Sequence, residues 1–377
     1  MSAPRIYLDA GGSAPISQRT RDALLAGFAE GWADPDRLSS ESRKARALLD
    51  GSREALADAL GASPSDVHFT SSAVGGLERL IAAICKARRG RDDVVVSAIE
   101  RDAVVHAATF AAGRDPLEVP VDSLGHVDAA ALNAALSHPG VALAAIQHAN
   151  HELGTVQNLD AIFDIAAARG VPLVVDATSS IGHIAAPESW DAIAANPADW
   201  GGPSGIGVIA LRPHTRWLPA WPEGDDWAPG GVSVPLALAA AVALQERLEL
   251  ADETASRLSG IIDMVRERMA SVPGVDVVGD PEQRLPHVVT FSCLYVDGEA
   301  LLTRLDREGF AVGSGSACTT SSLEPSRVLG AIGALTHGNV RLALHPAITN
   351  SDIERFVAVA TREIASLRAE AGAPGLG

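Results

Sequence analysis

Short apolar runs without polar alternation recur along the first half of the chain. Val67–Thr70, Val94–Ser97, Leu143–Gln147, Leu173–Val175 and Gly207–Leu211 read as strands buried on both faces. Between them, Gly75–Arg88, Asp102–Ala112 and Leu159–Arg169 have helical spacing. Strand and helix alternate, which predicts a mostly parallel sheet covered by helices. Upstream, Ser40 is expected to cap a helix running to Leu60, with Gly61 at its C-terminal stop. Downstream, Pro235 to Ala270 is helical with a break near Asp252. The pattern then changes. Val275–Val278, His287–Phe291 and Val340–Leu344 read as strands; Gly298–Glu308, Arg327–Gly333 and Ile353–Leu367 read as helices. This predicts a large α/β domain over residues 15–245. A smaller α+β domain is expected to combine residues 1–14 with 246–377.

The chain has 377 residues, of which 47% are hydrophobic and only 4% aromatic, so Ala, Val and Leu must fill the core. Its formal charge of −17 argues against non-specific binding to nucleic acid or to an anionic membrane. Three cysteines, Cys85, Cys293 and Cys318, are too few for a disulfide framework. The opening MSAPRIYLDAGG lacks the pattern of a secretory signal, and the apolar stretch Pro235–Leu244 is too short to span a bilayer. The expectation is a soluble protein of the reducing cytoplasm. The 30 basic residues include only two lysines, Lys44 and Lys86. Arginine stays protonated and delocalised, so amine chemistry would have to come from those two positions.

Cys318 lies in GSGSACTTSSLEPSRVLGAIG, residues 313–333, where Gly and Ser surround a cysteine just before a helix. An exposed thiol on such a loop can reach a substrate or partner. Alone, the segment reads as readily as a tight turn of small residues. Cys85, in an apolar helix, and Cys293, in a strand, read as core.

Other segments shift that balance: IYLDAGGSAP (6–15), ANHELGTVQNL (149–159), LVVDATSSIGHI (173–184), GGPSGIGVIAL (201–211) and HGNVRLAL (337–344). With the cysteine loop, and in this order and spacing, they resemble the cysteine desulfurases of the class V aminotransferase group. The resemblance spans nearly the whole chain. It implies a fold-type I pyridoxal-phosphate (PLP) transferase architecture: a mostly parallel seven-stranded sheet plus a smaller C-terminal α+β domain, in a homodimer. In that family PLP is held as a lysine Schiff base, and a loop cysteine takes sulfur from substrate cysteine as a persulfide. By this resemblance Cys318 is the nucleophile and Asp176 the acid that pairs with the pyridinium nitrogen. Asn150 lies beside cofactor and substrate, and Arg341 binds the substrate carboxylate. The simpler readings are a strand-end Asp, a turn Asn before Gly154 and a surface salt bridge.

The departures cluster at the cofactor. The family lysine stands four residues before the proline of Gly-Pro-x-Gly, and counting back from Pro203 reaches Asp199, preceded by Ala198 where a histidine is usual. Lys44 and Lys86 lie on early helices and read as solvated. Arg101 takes the place of the histidine that stacks on the ring, and Ser179 that of a glutamine near the ring oxygen. The phosphate turn is Ser72-Ala73-Val74-Gly75, in which Val74 lacks the hydroxyl donor. Ala228-Pro229-Gly230-Gly231 lacks the cation and hydroxyl that reach the phosphate across the dimer. Like charges about 4 Å apart repel by roughly 4 kcal/mol near a protein surface, so an ionised Asp199 opposes a phosphate-bearing cofactor. PLP binding is expected to be weak or absent, and not as a lysine Schiff base.

Three functional readings follow. The first is a desulfurase-like sulfur-transfer protein, with Cys318 as persulfide carrier and a sulfur donor or acceptor protein as partner. The second is a PLP enzyme with atypical cofactor binding, acting on cysteine or a small amino acid. The third is a non-catalytic partner or scaffold. No metal site is expected: His148, His151 and Glu152 are close in sequence but show no further ligand.

Overall fold

In a computed structural model of the chain, residues 5–219, 227–315 and 326–373 are described. In chain order the elements are β1 (Ile6–Tyr7), α1 (Gln18–Glu30), α2 (Ser40–Leu60), β2 (Val67–Thr70), α3 (Ala73–Ala87), β3 (Asp93–Ser97), α4 (Asp102–Ala112), β4 (Leu117–Val119), α5 (Ala129–Leu136), β5 (Val141–Gln147), α6 (Leu159–Ala168), β6 (Leu173–Asp176), β7 (Ala192–Ala195) and β8 (Gly207–Leu211). Then follow α7 (Val234–Glu249), α8 (Ala251–Ala270), β9 (Val275–Val277), β10 (Val288–Cys293), α9 (Gly298–Arg307), β11 (Phe310–Ala311), α10 (Arg327–Ala331), β12 (Asn339–Ala343) and α11 (Asn350–Glu370).

Seven strands form one sheet in the order β2-β8-β7-β6-β5-β3-β4. Only β8 runs against its neighbours, pairing antiparallel with both β7 and β2. Strand β5 is buried at every position, as its unbroken apolar run requires. Helices cover both faces over two separate apolar clusters: Leu49, Leu56, Val175 and Leu244 lie in one, and Leu77, Ile81, Val94 and Val104 in the other. This is the fold-type I α/β architecture that the resemblance implies.

A second sheet, β12-β10-β9, is antiparallel. It packs with α8, α9 and α11 around Phe291, Phe310 and Phe356, and Ile6 and Leu8 from the N-terminal segment join that core. Strand β1 pairs with β11, and Asp9 bridges to Ala343 at the end of β12. The N-terminal segment thus runs from the second sheet toward the turn after β7, where Ala14 N–H donates to Ala198 O at 2.8 Å.

Local signals place most element ends. Gly61 ends α2 in the left-handed conformation, at φ 60°. The cap of α2 is Ser39 and not Ser40: the Ser39 backbone is extended, and its hydroxyl accepts from Ser42 N–H. The break between α7 and α8 falls at Leu250, two residues before the expected Asp252. Strand β7 escapes the sequence pattern because its Ala-Ile-Ala-Ala has little β-propensity, and its place between β6 and β8 makes it a strand.

Candidate active site

The carboxyl ends of β5 and β6, the turn after β7 and the N-terminal segment meet above the large sheet. Asp176 is the last residue of β6 and is buried. Its Oδ1 accepts from Thr178 N–H at 3.0 Å and from Thr178 Oγ1–H at 2.6 Å; its Oδ2 accepts from Arg101 Nε–H at 2.8 Å. Arg101 reaches it from the N-cap of α4. Its buried Nη2 has no hydrogen-bond partner among the described residues.

Asp199 lies in a single 3-10 turn, Pro197–Trp200, and is only 2% exposed. Its Oδ1 accepts from Gly12 N–H at 2.5 Å, which ties the turn to the N-terminal segment. Its Oδ2 lies 3.0 Å from His183 Nε2 without hydrogen-bond geometry. Both lysines are engaged elsewhere. Lys44 pairs with Glu30 on the surface, and Lys86 donates to Pro219 O.

Arg341 lies on β12, 8% exposed, and its Nη2–H donates to Asp9 Oδ1 at 2.8 Å. Gly313 packs against this ion pair. A Cβ there would come within 2.5 Å of Asp9 Oδ1 and 2.8 Å of Arg341 Nη2. A side chain at position 313 would therefore displace the Asp9–Arg341 pair. His151 lies within electrostatic range of both Arg101 and Arg341, and burial and these two cations hold it well below the usual histidine range.

Asn150 is fully buried, and its amide is used by the local turn. Nδ2 donates to Ile99 O and Gln147 Oε1, and Oδ1 accepts from Glu152 and Leu153 N–H. Ser179 is half-buried in the turn after β6. At the start of α3, Val74 is 49% exposed, and Gly75 N–H donates to the Ser72 hydroxyl at 3.0 Å, so the helix caps itself. Cys318, with residues 316–325, lies outside the described residues. Cys85 and Cys293 are buried, and burial pushes each thiol up to about 12, which leaves them inert at neutral pH.

Other residues of this region receive no role from the sequence. Glu100 is buried beside the Arg101–Asp176 pair, and burial raises it to about 8. Its Oε1 accepts from Ser97 Oγ–H at 2.6 Å and from Gln147 N–H at 3.0 Å. Glu152 is buried and raised by burial, and its Oε2 accepts from Ser326 Oγ–H at 2.8 Å at the start of α10. His183 and His287 stack 3.7 Å apart next to Asp199. Only the folded chain brings these together, because their positions along the sequence are distant.

Known proteins align over this whole arrangement. The profile of the aminotransferase class-V family matches residues 6–227 and 229–356. The cysteine desulfurase IscS of Methanosarcina thermophila is 29% identical over 379 residues, covering 96% of this chain and 93% of that one. The cysteine desulfurase IscS of Dictyoglomus turgidum is 30% identical over 381 residues, covering 96% and 95%. Among solved structures, one called NifS-like protein superposes with a TM-score of 0.88 at 23% identity, over 96% of this chain and 100% of that one. The apo structure of a cysteine desulfurase from Thermococcus onnurineus NA1 superposes with a TM-score of 0.83 at 19% identity, over 96% and 95%. Those structural likenesses speak to the fold, and the sequence matches to the family: the chain belongs to the class-V aminotransferases, in the cysteine desulfurase group.

Proposed function

We propose that this chain is a sulfur-transfer protein that carries sulfur as a persulfide on Cys318 and does not itself desulfurate cysteine. The observation that carries the reading is the buried Asp199 where the family has its Schiff-base lysine, with one oxygen already held by Gly12. The seat of the cofactor's ring nitrogen is also taken, since the Arg101 guanidinium donates to the Asp176 carboxylate that would hold a pyridinium. No lysine amine reaches the place among the described residues, and the residues around it do not fit a lysine-bound PLP. The region presents its own cations to its own acids: Arg101 to Asp176, and Arg341 to Asp9. A second reading, a PLP enzyme with atypical binding, draws support from Asp176 and Arg341, both retained in buried positions.

In the first reading the Cys318 thiolate attacks the outer sulfur of a donor persulfide. One S–S bond forms as another breaks, and the donor leaves as a thiolate, so no outside oxidant is needed. The donor is a low-molecular-weight persulfide or a partner protein. The same reading includes the division into residues 15–245 and 1–14 with 246–377, supported by separate apolar cores. It also includes a homodimer, supported by exposed Leu25, Phe28 and Trp32 at and beyond α1. No helix among the described residues is long and apolar enough to cross a membrane; a cytoplasmic location is part of the proposal.

The test feeds purified full chain with cysteine persulfide, traps it by alkylation and maps the added sulfur by peptide mass spectrometry. Sulfur is expected on Cys318, with no bound chromophore and no alanine when PLP and cysteine are supplied instead. Sulfur absent from Cys318, or alanine released in that second arm, sinks the reading.

A further inference from the structure

We infer that Asp199, His183 and His287 form a binding site for a divalent transition-metal ion of zinc type. One ring nitrogen of each histidine and a carboxylate oxygen of Asp199 all lie within 4.8 Å of one another, and all three residues are buried. Two imidazoles and one carboxylate are a common donor set for zinc, and in a tetrahedral site neighbouring ligand atoms lie about 3.4 Å apart. The pair His183 Nε2 and Asp199 Oδ2, at 3.0 Å, is close to that spacing.

Unpartnered atoms supply a second, independent observation. Asp199 Oδ2 and His287 Nδ1 are buried without a hydrogen bond among the described residues. His183 Nε2 faces both Asp199 Oδ2 and, at 3.3 Å, the Asp199 carbonyl oxygen. Electron-rich atoms do not gather in a buried place without something positive between them. A proton on His183 Nε2 leaves Asp199 Oδ2 without a hydrogen bond. A divalent ion would engage the carboxylate and, once one ring has turned out of the stack, both imidazoles. The outer contact is in place as well, because Gly12 N–H holds Asp199 Oδ1 and so turns Oδ2 toward the histidines.

Two features oppose the ion. Arg247 on α7 lies in electrostatic range of Asp199 and His287, yet it makes no ion pair with Asp199, and its buried Nη1 has no hydrogen bond. The histidine rings are stacked 12° from parallel, so one must rotate out of the stack for both nitrogens to face one ion. Stacking and coordination are thus alternative states of the pair. The site would clamp three separate segments: the turn after β6, the turn after β7 and the start of β10. It shares Asp199 with the sulfur-carrier reading, which needs only that no lysine stands there, so either can hold without the other.

The experiment uses the full chain without a histidine tag, in a Cys318→Ser background so that the loop thiol takes no metal. After equilibration with excess zinc and desalting, elemental analysis should find about one zinc per chain, and zinc should raise the melting temperature. Cobalt in its place should give the visible absorption of a four-coordinate site. Asp199→Asn, nearly isosteric, and His287→Ala should each lower retained zinc at least tenfold. If His287→Ala does not fold, Asp199→Asn alone decides. Less than a tenth of an equivalent in the starting protein, or equal zinc in Asp199→Asn, overturns the inference. Loss of zinc with His151→Ala but not with Asp199→Asn overturns it too.

Discussion

At the scale of single residues, charge inversion reorganises the site. At the place where the family resemblance expects a lysine, Asp199 puts a buried acid, with Gly12 N–H donating to one carboxylate oxygen and His183 Nε2 lying 3.0 Å from the other. Arg101 does the converse and brings a cation against Asp176. Glu100, buried beside that pair, stays protonated up to about pH 8. The unfolded chain loses this proton near the ordinary carboxylate value, so between there and about pH 8 the folded state binds one proton more. Stability from this group is therefore full at low pH and falls as pH rises, by about 1.4 kcal/mol per pH unit within the window. Glu100→Gln should flatten that slope in denaturant titrations from pH 5 to pH 9. An unchanged slope would mean Glu100 is already ionised in the folded chain. Asp199, Arg101, Asp176 and Arg341 are singled out by the resemblance to the cysteine desulfurases, through motifs local to the chain. The roles of Glu100, His183 and His287 are not, because burial and long-range proximity leave no local pattern.

At the scale of elements, local rules hold where a signal is strong and fail where context decides. Helix α4 and strands β2 and β8 follow the apolar pattern to the residue, and α2 departs from it only at its cap. Strand β7, helix α1 and the short strands β1, β4 and β11 do not show in it. β7 is alanine-rich, and α1 is a largely polar segment held against α7. Helix α3 illustrates the strong case. Its N-cap Ser72 accepts from Gly75 N–H at 3.0 Å, at the turn that in relatives would face a phosphate. Ser72→Ala should lower unfolding free energy by about 1 kcal/mol, and Ser72→Gly by only a few tenths. No loss for Ser72→Ala in urea denaturation would show that the hydroxyl caps nothing.

At the scale of the whole molecule, the N-terminal segment is the tie between the two sheets. It pairs β1 with β11, places Asp9 against Arg341 and ends by holding Asp199 through Gly12. The exposed Leu25 and Phe28 of α1 lie on the outside of this assembly. If they are the proposed dimer surface, Leu25→Glu with Phe28→Glu should convert a dimer to a monomer in light scattering while the far-ultraviolet spectrum stays the same. An unchanged mass would place the interface elsewhere. The net charge of −17 and the alternation of strand and helix needed no coordinates, because charge is a sum and burial on both faces of a parallel sheet demands continuous apolar runs. The sequence by itself also determined that an aspartate stands four residues before Pro203, since that spacing is a property of the chain. Tertiary structure alone decided what surrounds Asp199. The histidines that face it come from separate turns, and only packing of the two sheets brings residues 183, 199 and 287 within a few ångströms.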